Sequence, residues 1–223
     1  MPDGNIGVVK LLLEKGASFE AGNTGNNTPL HLAALNGHNG VMELLLGRGA
    51  SIEAINRNNR TPLHIAAQNG HTHTVKLLLR KGALMNTTDK QNDTPLHLAA
   101  FGGHTDIVDL LLGKGAPINV MNKFNKVPLH FAAHNGHTNV VELLLGKGAS
   151  IEALAKNNNT PLHIAAREGH FGVVELLLKK GASLKAVDKN NKTPLQLAAQ
   201  YGHADSVQLL RKKAAELAYG NPA

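Results

Sequence analysis

One tetrapeptide recurs along this chain at a fixed interval, and this feature limits the possible folds more than any other. It consists of Thr-Pro-Leu-His or a near copy, and each copy begins 33 residues after the one before. The copies begin at Thr28, Thr61, Thr94, Val127, Thr160 and Thr193. A period of this length indicates a repeated structural unit that buries its apolar side only by packing on neighbouring units.

Three further motifs keep the same interval, which makes a chance recurrence untenable. They are a Gly-His pair, a run of leucines and a Gly-Ala pair. The Gly-His pairs begin at Gly37, Gly70, Gly103, Gly136, Gly169 and Gly202. The leucine runs include Leu11, Leu44, Leu77, Leu110, Leu143 and Leu176. The Gly-Ala pairs begin at Gly16, Gly49, Gly82, Gly115, Gly148 and Gly181.

Each 33-residue repeat is expected to form two short helices. Thr61 is a suitable N-cap because its hydroxyl can accept a bond from a first-turn N–H, and Pro62 suits the first helical position. Gly70 can adopt the left-handed conformation that ends the first helix, and Gly82 ends the second. Helices of about ten residues are not stable alone, so stacking must stabilise them.

On these motifs the chain resembles the ankyrin repeat family over nearly its whole length. The resemblance implies an all-α repeat solenoid of stacked helix-turn-helix repeats with β-hairpin-like loops. We predict one continuous ankyrin domain. It comprises a truncated N-terminal half repeat at 1–22, internal repeats at 23–55, 56–88, 89–121, 122–154 and 155–187, and a C-terminal capping repeat at 188–223.

The loop tips depart from the family pattern at one place. Ankyrin hairpins usually carry glycine two residues before the threonine of the tetrapeptide, whereas this chain has asparagine in every copy. The residues are Asn26, Asn59, Asn92, Asn125, Asn158 and Asn191. Because asparagine tolerates positive φ better than other residues with a side chain, we predict left-handed backbone at all of them.

The two ends differ from the internal repeats. Near the C-terminus the leucine run becomes Leu209-Leu210-Arg211 and Gly-Ala becomes Ala214-Ala215, so the last helix is predicted to continue to about Tyr219 with a polar outer face. The first repeat lacks its first helix, which is consistent with a trimmed N-terminus or a shortened cap. A natural array and an engineered ankyrin scaffold without a physiological partner both remain open.

Composition excludes several classes of function. There is no cysteine, so disulfides and cysteine zinc sites are impossible. Eleven of the 13 histidines belong to the repeat motifs, where they are expected to bond loop backbone, and equivalent copies lie too far apart to share a metal. We therefore expect no metal and no cofactor. With no nucleophile elbow, phosphate-binding loop or metalloprotease motif, no enzymatic activity is expected.

The same features favour a binding module of the cytoplasm. No signal sequence or membrane-length apolar run is present, and we expect a cytoplasmic monomer. The net charge of +7 predicts attraction to acidic partners. The leading hypothesis is a non-enzymatic protein–protein interaction scaffold that binds an acidic or mixed protein or peptide in its concave groove.

The resemblance also indicates which residues contact the partner, namely the loop tips and the exposed side of each first helix. The predicted contact residues at the tips are Arg57, Arg60, Lys90, Lys123, Phe124, Lys126, Lys156, Lys189 and Lys192. Those on the first helices are Leu35, Gln68, Phe101, His134, Arg167 and Tyr201. Phe101 and Phe124 are predicted to take an apolar anchor of the partner, because aromatic and arginine residues dominate binding energies.

Two alternatives remain open for these residues. The exposed cations could serve solubility alone. They could also make the chain an electrostatic binder of nucleic acid or of an anionic membrane surface, although no RNA-binding aromatic motif or recognition helix supports this second alternative.

Overall fold

Every regular element of the chain is an α-helix in the computed structural model, which describes residues 5–219. The chain forms two compact units, Met1–Ala116 and Pro117–Ala223. The first unit contains α1 (Ile6–Glu14), α2 (Pro29–Asn36), α3 (Asn39–Gly47), α4 (Pro62–Gln68), α5 (Thr72–Arg80), α6 (Pro95–Gly102) and α7 (Thr105–Gly113). The second unit contains α8 (Pro128–His134), α9 (Thr138–Gly146), α10 (Pro161–Glu168), α11 (Phe171–Lys179), α12 (Pro194–Gln200) and α13 (Ala204–Tyr219).

The first unit has two layers of helices. The first helices of the repeats, α2, α4 and α6, pack side by side in chain order, while α1, α3, α5 and α7 form the second layer. Each first helix also packs on the second helix that follows it. The largest side chains of the core are Leu30, Met42, Leu45, Leu63, Leu78, Leu96, Ile107 and Leu111. This arrangement confirms the predicted stacking of helix-turn-helix repeats.

The second unit repeats the same plan. Here α8, α10 and α12 form the layer of first helices, and α9, α11 and α13 form the layer of second helices. Its core is centred on Leu129, Leu144, Leu162 and Leu177, which come from alternating first and second helices. Paired alanines such as Ala132 and Ala133 are completely buried, and their small size lets neighbouring first helices approach closely.

The tips between repeats are hydrogen-bonded turns. All six predicted asparagines have positive φ, between 54° and 60°, which confirms the left-handed assignment. The residue three positions earlier closes most of these turns with its side chain. In one tip the Oδ1 atom of Asn122 accepts the backbone N–H groups of Phe124 at 2.8 Å and Lys126 at 3.0 Å.

Backbone hydrogen bonds join each tip to the next one within a unit. In the first unit the N–H of Arg57 donates to the carbonyl oxygen of Gly25 at 2.9 Å. In the second unit the N–H of Lys156 donates to Phe124 at 2.9 Å, and that of Lys189 donates to Asn157 at 3.0 Å. The side chains of successive tips are therefore held at a constant spacing.

The two terminal helices differ in how they are covered. Helix α13 continues to Tyr219 as predicted, and Arg211 is exposed where the internal repeats have leucine. Helix α1 contains no buried residue. Leu12 is 53% exposed, whereas Leu45 at the equivalent position of α3 is fully buried. Helix α1 is thus the least supported element of the first unit.

Candidate functional site

Within each unit, the tetrapeptide histidines connect a repeat to the next one. The Nε2 atom of His31 lies 2.9 Å from the carbonyl oxygen of Arg60, and that of His163 lies 3.1 Å from the carbonyl oxygen of Lys192. A carbonyl can only accept, so Nε2 carries the proton. The Nδ1 atom of the same ring accepts the backbone N–H of the N-cap residue, as in His31 with Thr28 at 3.2 Å. Each of these histidines is therefore a structural link in its neutral form.

Burial keeps these imidazoles neutral. It lowers the pKa of His64 and of His130 from the ordinary 6.5 to about 4, although hydrogen bonds to backbone oppose the shift. Burial also lowers the pKa of His31 and His163. The neutral ring fits its place because Nε2 must donate and Nδ1 must accept at the same time.

Within each unit, Gly-His histidines connect a repeat to the preceding one. The Nε2 atom of His71 donates to the carbonyl oxygen of Leu35 at 2.8 Å, and that of His203 donates to Arg167 at 2.8 Å. The ring of His71 lies against Gly37, where an added Cβ would come within 2.8 Å of the ring. Glycine is required at such a position because both the ring and the positive φ exclude a side chain.

Charge is sorted at the tips. The six tips are residues 23–27, 56–60, 89–93, 122–126, 155–159 and 188–192. They contain three acidic residues, Asp89, Asp93 and Asp188, which are only 4%, 6% and 7% exposed. The Oδ1 atoms of Asp89 and Asp188 accept backbone N–H groups of their own turns. Desolvation raises the pKa of Asp188, but the N–H donors of Lys192 and Asn190 hold it below its ordinary value. Two of the three carboxylates therefore bind inside their own turns, all three are buried, and the exposed charges of the tips are cations.

Most of the predicted contact residues lie at the surface. The exposed residues at the tips are Arg57, Lys90, Lys123, Phe124, Lys156 and Lys189. The half-buried residues at the tips are Arg60, Lys126 and Lys192. On the first helices Leu35, Phe101 and Tyr201 are exposed, and Gln68, His134 and Arg167 are half-buried. Phe101 lies in the first unit and Phe124 in the second.

In the first unit Arg60 is bound within the protein. Its Nε atom lies 3.0 Å from Oδ2 of Asp89, whose side chain is 2% exposed, and its Nη1 atom donates to Oε1 of Gln68 at 2.8 Å. The sequence indicated neither contact, because Asp89 is 29 residues away in the next tip. Arg60 therefore stabilises the stack as well as lining the surface. In the second unit the Nζ atom of Lys192 donates to Oε1 of Gln200, as Arg60 does to Gln68 in the first.

Four of the predicted residues come together in the second unit. Phe124, Lys126, Lys156 and Arg167 line one open cavity of about 310 Å³ between two successive tips and α10. The Nζ atom of Lys126 lies 5.9 Å from the centroid of the Phe131 ring, within the range of a cation–π contact. An aromatic ring surrounded by three cations is suited to an anionic group with an apolar neighbour.

His134 and Arg167 meet at Glu168 beside this cavity. The Nη2 atom of Arg167 lies 2.7 Å from Oε1 of Glu168, and Nδ1 of His134 lies 3.4 Å from the same oxygen. Burial lowers the pKa of His134, with Glu168 acting in the opposite direction. The imidazole is thus neutral near pH 7, and Arg167 is the main counter-ion of Glu168.

Apolar residues next to the tips are a feature that the sequence analysis missed. Met121, Leu154 and Val187 in the second unit are 61%, 53% and 45% exposed, and Ile55 in the first unit is 50% exposed. Each of them directly precedes the residue that begins a tip. The signal was present in the sequence, because these positions share the 33-residue interval with the tip cations.

Two observations bear on other kinds of site. Within residues 5–219 no group of three or more histidine, aspartate or glutamate residues is placed to hold a metal ion. Among the helices of that range, none is both long and apolar enough to cross a membrane.

Comparison with known families agrees with the geometry. A family model described as ankyrin repeats (three copies) matches residues 2–56, 41–122, 103–188 and 129–220. A comparison with curated proteins gives no match. Ankyrin repeats are generally protein–protein interaction modules and are typically non-enzymatic. Because the matched segments cover nearly all of its residues and its helices stack as repeats, this chain belongs to the ankyrin repeat family.

Proposed function

We propose that the chain is a non-enzymatic scaffold that binds an acidic or mixed protein surface. In each unit the binding face consists of the tips together with the exposed sides of the first helices, which are α2, α4 and α6 in the first unit and α8, α10 and α12 in the second. The observation that carries this proposal is the sorting of charge at the tips, where carboxylates are buried in the turns and cations face outward. A surface of one sign attracts a partner of the other sign and raises its association rate.

Solubility alone does not account for the face. Solubility requires charge, but it does not require exposed aromatic side chains beside the charge. Phe101 and Tyr201 are 39% and 54% exposed on the first helices, and Phe124 is 46% exposed at a tip. Such residues, together with arginine, contribute most of the energy of protein interfaces.

Binding to defined probes tests the proposal. The probes are labelled 12-residue peptides rich in glutamate, in lysine or in glutamine, and their affinity for the intact chain is measured by fluorescence anisotropy. We expect the glutamate-rich peptides to bind roughly tenfold or more tightly than the other two sets. The double variant Lys156→Glu/Lys189→Glu should abolish this preference, whereas Lys179→Glu/Lys180→Glu, with the same charge change on α11 and its C-terminal cap, should retain it. Equal affinity for all three sets would refute the proposal.

A salt titration with single-stranded DNA separates protein recognition from phosphate binding. Binding to phosphates weakens steeply and log-linearly as salt rises. We expect the acidic peptides to retain measurable affinity at a salt concentration that releases the DNA. The opposite order would identify the tips as a nucleic-acid surface and overturn the proposal.

A further inference from the structure

The outer surface of the tips in the second unit repeats one pair of side chains. Met121 and Lys123, Leu154 and Lys156, and Val187 and Lys189 are all exposed pairs. The residue between the members of each pair is buried: Asn122, Ala155 and Asp188 are 6%, 7% and 7% exposed. The two exposed members therefore flank a buried residue, and the second member begins the turn of its tip. Each tip therefore presents one apolar side chain and one cation side by side, and we call this pair a rung.

The spacing between rungs is set by the stacking of the helices. Adjacent packed helices lie roughly 8–10 Å apart, so neighbouring rungs are separated by about 10 Å. The hydrogen bonds from Lys156 to Phe124 and from Lys189 to Asn157 keep the tips in register at that spacing. Within a rung, the Cα atoms of the apolar and the basic residue are at most about 7 Å apart, because a chain rises no more than about 3.4 Å per residue.

A polyproline II segment has a repeat that matches the spacing between rungs. It has three residues per turn and rises about 3.1 Å per residue, so every third side chain lies on the same face about 9.3 Å further along. One face can present carboxylates to the three lysines while the next face presents apolar side chains to Met121, Leu154 and Val187. An α-helix, with a diameter of about 10–12 Å, is wider than the rung.

We propose that the three rungs bind an extended acidic segment in which an acidic residue and an apolar residue recur together at every third position. This inference rests on the function proposed above and specifies the partner at the same face. Charge complementarity selects the acidic residues, and the exposed apolar side chains select their neighbours. The exposed methionine, leucine and valine then gain burial that they lack in the free protein.

The proposal is tested with three labelled peptides and the intact chain. One peptide is a 15-residue repeat of Glu-Leu-Pro, the second has the same composition without a three-residue period, and the third is a helical peptide with Glu and Leu paired every seven residues. We expect the first peptide to bind roughly tenfold more tightly than either of the others. Preference for the helical peptide would overturn the proposal.

Variants of a single rung provide the second measurement. Leu154→Ser and Lys156→Gln are each expected to weaken binding of the Glu-Leu-Pro peptide by roughly five- to tenfold. The matched controls are Leu217→Ser, at a leucine that is 73% exposed on α13, and Lys180→Gln, at an exposed lysine outside the tips. Both controls should bind as the parent does, and all four variants should melt as the parent does because the altered side chains are exposed.

The outcomes distinguish the two proposals. If all acidic peptides bind equally and Leu154→Ser has no effect, the proposed role of the rungs is refuted, whereas the proposal that the tips bind an acidic partner stands. If no acidic peptide binds, both fail. Binding that depends on the period of three and on both members of the rung supports both.

Discussion

At the level of single residues, backbone chemistry fixes the protonation of the tetrapeptide histidines. Nε2 must donate to a carbonyl of the next repeat, and Nδ1 must accept an N–H of its own repeat. A proton on Nδ1 of His64 would break the second of these bonds and place a charge in a fully buried site. The histidines therefore link stability to pH.

Stability should fall as the solution is acidified below neutral pH. The pKa of His64 and of His130 is about 4 in the folded protein and 6.5 when unperturbed. Between these values the unfolded chain binds more protons than the folded one, so stability is complete above about pH 6.5 and is lost as the pH falls toward 4. Each unit of pKa difference corresponds to about 1.4 kcal/mol. Urea unfolding at neutral and at mildly acidic pH measures this slope.

His64→Gln is the matched control for this prediction. Glutamine occupies the equivalent place at Gln196, where Oε1 accepts the N–H of Thr193 at 2.8 Å. The variant should therefore keep the acceptor, lose the titrating group and show a smaller dependence on pH than the parent. An identical slope in the two proteins would mean that other groups control the acid sensitivity.

Val127 is a second residue with a testable role. It is 1% exposed and caps α8 without a hydroxyl, whereas in Thr160 the hydroxyl lies 2.8 Å from Nδ1 of the following histidine. Val127→Thr should stabilise the protein by roughly 0.5–1 kcal/mol by restoring the cap. Val127→Ala, which removes the methyl groups without adding a hydroxyl, should destabilise it. A lower melting temperature for the threonine variant would show that the buried methyl groups matter more.

Ala155 interrupts a series of side chains that close the tips. At the other tips an asparagine or aspartate accepts two backbone N–H groups, as Asp188 does from Asn190 at 2.8 Å and from Lys192 at 2.9 Å. Alanine offers no acceptor there. Ala155→Asn should therefore stabilise the fold by about 1 kcal/mol, measured by urea unfolding. The reverse change Asp188→Ala should lower stability, and a loss in both variants would show that Ala155 is favoured by packing.

At the level of helices, stacking decides which elements are stable. The helices up to α12 have seven to nine residues, too few to persist alone. Within their units, α4, α5, α10 and α11 have neighbours on both sides of their layer. Helix α1 has no buried residue and leaves Leu11 and Leu12 more than half exposed. The cost of opening it is therefore the lowest in its unit.

Hydrogen exchange should reveal this difference. We expect the amides of α1 to exchange fastest among the helices of the first unit, and the amides of α4 and α5 to exchange slowest. Protection of α1 equal to that of α5 would contradict this ranking. A concentration-dependent rise in that protection would identify a second molecule covering the exposed leucines.

At the scale of the whole molecule, the chain has a net charge of +7, and its tips contain eight lysines and arginines but only three acidic residues. Exposed cations steer a charged partner before contact, and salt screens that attraction. The double change Lys123→Glu/Lys126→Glu should therefore slow association with an acidic partner and flatten its dependence on salt. Surface plasmon resonance at two salt concentrations measures both effects. A change confined to dissociation would mean that these lysines act only after contact.

The sequence by itself determined the repeat, the helices and the turns. The N-cap threonines, the left-handed asparagines and the extension of α13 to Tyr219 follow from residues near each other in the chain, where backbone preferences are decided. Stacking was predictable as well, because a short unit with one apolar side must cover it with a neighbour.

Only the tertiary structure decided which side chains remain available at the surface. Arg60 is occupied by Asp89 in the following tip, and the acidic residues of the tips are buried in their own turns. Leu154 is exposed although it is apolar. These outcomes depend on which side of an extended segment faces the neighbouring repeat and on contacts between residues about one repeat apart. Local preference specifies the backbone of a tip, but packing against the next repeat sets the exposure of its side chains.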